Sequence, residues 1–128
     1  MAQLAASIVS HDEDFKRQLA ALLRAGGVPV GIVDANAVAQ GSSPDVVVVD
    51  IRADASSGMA AIERLRAKHP SVGLFAVAAS PEPDLILQAM RAGANEFFPW
   101  NPGGATQASR AMEESFHGAV RRVAARQA

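Results

Sequence analysis

Four consecutive valines, Val46 to Val49, run without a polar break into Asp50. A β-branched run of this kind suits a strand buried on both faces, which means the middle of a parallel sheet covered by helices on either side. Around it the chain alternates short β-rich runs with stretches of helical periodicity, the pattern of repeated strand and helix units. A first strand is predicted over 4–9, followed by a helix on which Phe15, Leu19, Leu22 and Leu23 share a face and which Gly26 and Gly27 end. A second strand is predicted over 28–33. Only residues 34–43 separate it from the valine run, so the second helix must be short or irregular.

The pattern continues beyond Asp50. Ser57 is placed to cap a helix that turns Ile62 and Leu65 inward and that Pro70 closes, since proline disfavours helix in the residue before it. A fourth strand is predicted over 72–78, a fourth helix over 84–92, and a short fifth strand around Phe97 and Phe98 after Gly93. A last helix is predicted from about Ala105, with Ala108, Met112, Phe116, Ala119, Val120 and Val123 as its apolar stripe. The sequence stops within that helical pattern, where Arg121, Arg122 and Arg126 suggest either a solvated tail or a linker toward a further domain.

The 128 residues, 49% of them hydrophobic, fit one globular domain. Twelve Lys and Arg against thirteen Asp and Glu leave a formal charge of -1, so no global field draws the chain to nucleic acid or to an acidic membrane surface. The absence of cysteine removes disulfides, thiolate nucleophiles and cysteine metal sites, and fits the cytoplasm. No apolar run is long enough to span a bilayer, so direct membrane insertion is not expected, and the N-terminus lacks a signal-peptide pattern.

In open parallel sheets the functional crevice lies beyond the carboxyl ends of the strands. That singles out Ser10, His11 and Asp12, then Asp50, then Ala78 to Ser80, and finally Pro99, Trp100 and Asn101. A strand-end aspartate can attack a phosphoryl donor only when a cation and fixed donors neutralise the incoming oxygens.

The stretch PDVVVVDIRADASSG (44–58) resembles the phosphoacceptor strand and loop of bacterial response-regulator receiver domains, and LQAMRAGANEFF (87–98) resembles that family's fourth helix, turn and fifth strand. The resemblance covers nearly the whole chain. It implies a flavodoxin-like (CheY-like) three-layer sandwich, with a five-stranded parallel sheet of order 2-1-3-4-5 and about five helices. It also places Asp50 at the phosphoacceptor position and Phe97 at the aromatic switch position.

Against that pattern several chemical positions have changed. Ser10 and His11 stand where the family has two acids for magnesium, Ala78 replaces the hydroxyl residue, Trp100 replaces the lysine, and Asn101 replaces the proline after it. Each of the first three changes removes a ligand or a charge needed for metal-dependent phosphoryl transfer. A narrower resemblance, carried by PEPDLILQAMRAGANEFFPWN (81–101), is to the atypical receiver of TadZ/CpaE proteins. That family takes part in Flp (tight adherence) pilus assembly, localising the secretion machinery, and normally follows the receiver with a ParA/MinD-like ATPase domain. No Gly-Lys-Ser/Thr phosphate loop occurs in the sequence, so it assigns no nucleotide hydrolysis to this chain.

Several positions keep two readings. His11 is either a solvated loop residue or a cation set against Asp50. Asp12, Glu13 and Asp14 are first-turn acids favoured by the helix dipole, unless Asp12 joins Asp50 around a magnesium ion. Trp100 either packs in the ordinary way or lies over the pocket. On the fourth helix Asp84, Gln88 and Arg91 form a narrow polar arc, while the apolar residues spread over roughly 220°. That surplus suggests a homodimer contact or a docking face at Leu87, Met90 and Phe98, unless the last helix covers it.

The expectation is therefore a pseudo-receiver, a non-enzymatic interaction and localisation module without a cofactor. Its partners would be a second copy of itself, an ATPase domain and the pilus secretion machinery. The alternative is a working receiver that accepts a phosphoryl group on Asp50 with magnesium bound. Flavin or nucleotide binding at the same crevice has little support, because the strand-end loops lack a glycine pattern that would cradle phosphate.

Overall fold

The computed structural model describes residues 3–101 and 106–127. Five strands form one parallel sheet, β1 (Leu4–Val9), β2 (Val30–Val33), β3 (Val46–Asp50), β4 (Gly73–Ala78) and β5 (Glu96–Pro99), in the order β2-β1-β3-β4-β5. Between and after them run α1 (Glu13–Arg24), α2 (Ala35–Ala39), α3 (Ala55–Lys68), α4 (Pro83–Ala92) and α5 (Gln107–Gln127). The order places β3 at the centre, paired to β1 on one side and to β4 on the other, with Val46 to Val49 fully buried. The predicted class and strand order are those observed.

Because successive strand residues point to opposite faces, the sheet divides its side chains between two cores. Ile8, Val46, Val48, Phe75 and Val77 turn toward α1 and α5, where they meet Phe15, Leu19, Leu23, Phe116 and Val120. Val47, Val49, Leu74, Ala76 and Ala78 turn the other way and meet Ala61 and Ile62 of α3 and Ala89 of α4. Helix α1 buries the four residues its periodicity selects and ends at Arg24, just before Gly26 and Gly27. Helix α2 is five residues long, as the short spacing between β2 and β3 requires.

The structure departs from the sequence expectation in β2, which begins at Val30 and not at residue 28, in the cap of α3 and in the stripe of α5. Asp54, not Ser57, caps α3: its carboxylate accepts from the Ser57 N–H at 3.1 Å and from the Ser57 hydroxyl at 2.9 Å, so Ser57 lies inside the first turn as a donor. On α5 Ala108 is exposed, and Ser109 takes the buried position instead, its hydroxyl donating to the Asn101 carbonyl at 2.6 Å. The remaining five residues of the expected stripe are buried. Ala105, the expected start of that helix, lies outside the described residues.

Candidate functional site

The carboxyl ends of β1 and β3 open into a cleft of about 930 Å³, bounded by the loops after both strands and by the starts of α2 and α3. Parallel strands place their loop-bearing ends side by side, so residues 40 apart in sequence meet here. Ser10, His11 and Asp12 come from the loop after β1, Asp50 closes β3, and Arg52 follows in the loop to α3. Gly58 lets α3 approach: a Cβ there would overlap the Ile51 side chain.

The Asp50 side chain is only 9% exposed, and its two oxygens are taken up by donors of this chain. The Ser10 hydroxyl donates to Oδ2 at 2.6 Å. The Arg52 guanidinium grips the carboxylate with a two-pronged fork, Nε to Oδ1 at 3.0 Å and Nη2 to Oδ2 at 3.1 Å. The Arg52 backbone N–H adds a bond to Oδ1 at 2.9 Å. Charge-assisted, two-pronged pairs of this type are among the stronger hydrogen bonds proteins make.

Arg52 also reaches Asp12, with Nη2 donating to Oδ2 at 3.0 Å, while the other oxygen of Asp12 accepts the Phe15 N–H and caps α1. On its flat side the guanidinium lies 4.1 Å from the centre of the Phe15 ring. Phe15 in turn meets Trp100 edge-on, with ring centres 4.8 Å apart.

These contacts fix the protonation states. Burial pushes the Asp50 carboxyl up, but the bonds from Arg52 and Ser10 outweigh it and hold the group below the usual carboxylate range. Asp12 is lowered first by the Phe15 N–H and then by Arg52. Burial pulls Arg52 down, yet the carboxylates of Asp50 and Asp12 leave it above its ordinary value. All three groups are ionised at neutral pH.

Of the residues singled out from sequence, Ser10, His11, Asp12 and Asp50 line the cleft together. Ala78, Trp100 and Asn101 do not line it. Ala78 is fully buried in the core beneath α3 and α4, and its carbonyl accepts the Trp100 N–H at 2.8 Å. Trp100 turns toward α1 and joins the other core, so it packs rather than covering the pocket. Asn101 is exposed and holds Ser109 through its carbonyl.

Phe97 is half-buried against the α3 and α4 core. Phe98, expected on an interaction face, is 3% exposed and packs between Phe75 and Phe116, with ring centres 5.5 and 5.1 Å away. Its side chain points to the α5 side of β5, where the aromatic core claims it. Leu87 and Met90 do stand out on α4, 48% and 41% exposed, so α5 does not cover them.

His11 is exposed, and the cation against Asp50 is Arg52, a residue the sequence reading passed over. Its signal was local. An arginine two positions after a strand-end acid, where the chain turns, can fold back so that main-chain N–H and guanidinium meet the same carboxylate. The donor set that results does not suit a divalent cation. Asp50 spends both oxygens on Arg52, Asp12 spends one on Arg52 and the other on the Phe15 N–H, and Ser10 donates where an acid would accept. Among the described residues no group of three or more His, Cys, Asp or Glu side chains converges as a metal site.

Comparison with known proteins agrees with this geometry at the level of the fold. The response regulator receiver domain matches residues 7–100. Among solved structures, a pilus assembly-related protein from Burkholderia pseudomallei K96243 superposes with a TM-score of 0.76 at 23% identity, covering 96% of this chain and 90% of that one. A pilus assembly protein (cpaE) from Burkholderia thailandensis E264 gives 0.72 at 24%, covering 93% and 99%. At these identities the two structures speak for the fold alone. Among curated proteins, Regulatory protein LuxO of Vibrio vulnificus is 32% identical over 88 residues, a stretch that covers 62% of this chain and 19% of LuxO.

Proposed function

Because the chain belongs to the response-regulator receiver family, matched over residues 7–100, we propose that it is a pseudo-receiver: an interaction and localisation module that keeps the receiver fold for its surfaces. One observation carries the reading. Ser10, at a position where the family resemblance calls for a metal-binding acid, donates its hydroxyl to Asp50 at 2.6 Å. The pocket thereby gains a donor to its carboxylate where it would need an acceptor for a cation. The buried methyl of Ala78 and the packing of Trp100 against α1 support the same reading, since neither brings a hydroxyl or ammonium group to Asp50.

The setting we propose is Flp-type pilus assembly in the cytoplasm, with a ParA/MinD-like ATPase domain and the secretion machinery as protein partners and with self-association through α4. Support comes from the sequence run 81–101, from the pilus assembly proteins among the structural neighbours, and from the exposed Leu87 and Met90. Solvent-facing leucine and methionine on one short helix are the kind of surface that partners cover. Among the described residues no helix is long and apolar enough to cross a membrane.

The second reading, a working receiver phosphorylated on Asp50, has in its favour that Asp50 survives at the mouth of an open cleft. One experiment separates the two. The chain is incubated with magnesium and acetyl phosphate beside an active receiver as control, and intact masses are measured. An unmodified chain beside a modified control is the expected result, and a phosphoryl adduct that disappears in Asp50→Asn overturns the pseudo-receiver.

A further inference from the structure

Two carboxylates that share a small space repel each other, and a cation between them offsets that repulsion. In active receivers of this family that cation is a divalent metal ion. In this chain the guanidinium of Arg52 meets the carboxylates of both Asp12 and Asp50. Arg52 spends Nε and Nη2 on Asp50 and shares Nη2 with Asp12, and its main-chain N–H fixes the turn that brings it there. A guanidinium keeps its charge at every physiological pH, and its planar fork matches a carboxylate edge. With its side chain 23% exposed and its face against Phe15, it is packed as well as paired.

Resting on the pseudo-receiver reading, we infer that Arg52 is the resident cation of the Asp12–Asp50 pair, excluding divalent ions from the pocket and tying its state to the Phe15–Trp100 aromatic pair. The lost metal site has been replaced from within the chain and not merely left degenerate. Two consequences follow. The carboxylates remain competent to bind a metal once the guanidinium is removed. Release of Arg52 also takes the cation off the Phe15 ring, whose edge contact carries the change to Trp100.

The test is calorimetric titration of the whole chain with Mn²⁺, comparing wild type, Arg52→Gln and the double variant Asp12→Asn/Arg52→Gln. Arg52→Gln should bind Mn²⁺ about tenfold or more tightly than wild type, as expected when a competing charge leaves two carboxylates, and the double variant should lose that gain. Trp100 emission should shift in Arg52→Gln before metal is added. Equal binding by wild type and a folded Arg52→Gln, whether tight or absent, overturns the inference.

Should Arg52→Gln fail to fold, the wild type decides by NMR. The Arg52 Nε–H should give a slowly exchanging resonance that vanishes in Asp50→Asn, and rapid exchange in wild type overturns the inference. Phosphorylation of wild type by acetyl phosphate would overturn the pseudo-receiver, whereas failure of the Mn²⁺ comparison would remove only the role given to Arg52.

Discussion

The two faces of the sheet are packed by different means. Toward α1 and α5 the core holds large rings: Phe75, Phe98 and Phe116 meet one another edge-on, and Phe15 meets Trp100 in the same way. Toward α3 and α4 five alanines, Ala61, Ala76, Ala78, Ala89 and Ala94, lie among aliphatic side chains such as Val47, Ile51, Ile62 and Leu74, so those helices come close where the alanines face them. The difference bears on function. The ring-built face reaches the pocket through Phe15 and Arg52. The close-fitted face fully buries only Ala89 of α4 and leaves Leu87 and Met90 outside. One side of the molecule joins the pocket to the ring-built core, and the other leaves two apolar side chains of α4 exposed.

The sharpest way to break this contrast is to take away a ring. Phe116 is fully buried, with Phe75 and Phe98 at 5.7 and 5.1 Å. Phe116→Ala should cost about 3–5 kcal/mol, the range for truncating a buried aromatic ring. Urea denaturation followed by circular dichroism measures it. A loss near that of a surface substitution would mean that the ring cluster is loosely packed.

On the opposite face the corresponding change adds an atom. Gly58 lies in α3 where a Cβ would overlap the Ile51 side chain and come within 3.3 Å of its Cα. Gly58→Ala gains about 1 kcal/mol of helix propensity, but overpacking of a close helix-to-strand contact costs about 1–3 kcal/mol, so a net loss of about 1 kcal/mol is expected. Denaturation midpoints of the two proteins give the difference. A gain in stability would show that α3 has room to move, and the distinction between the two faces would weaken.

The same contrast explains what could be read from sequence. The fold was legible because its signals are strong and local: the valine run, the alternation of periods, and the helix stripes of α1 and α5. Boundaries were less so, since Asp54 and Ser57 are both good caps and only the path of the loop from β3 decides between them. Phe98 was misplaced because adjacent strand residues face opposite ways, and the sequence FF does not say which ring meets the aromatic core. Ser10, His11 and Asp12 were found as neighbours of Asp50 because topology alone brings strand ends together. Arg52 was missed because attention to lost ligands counts what family positions no longer hold, whereas its role arises from a turn that directs a side chain back over its own strand end.

The smallest expected effect concerns a group that neither packing style accommodates. Ser7 lies in β1 between Val33 and Val47, on the face that also carries Val9, and it is fully buried. Its hydroxyl has no hydrogen-bond partner among the described residues. A buried hydroxyl that has left water without gaining a partner is a net cost, and alanine keeps the small size that a closely fitted face demands. Ser7→Ala should therefore raise stability by about 0.5–1 kcal/mol, a shift visible in the thermal midpoint. A destabilised variant would mean that the hydroxyl is satisfied in solution. In that case the small-residue face would hold water near the strand whose end carries Ser10, and its packing would be less dry than the ring-built side.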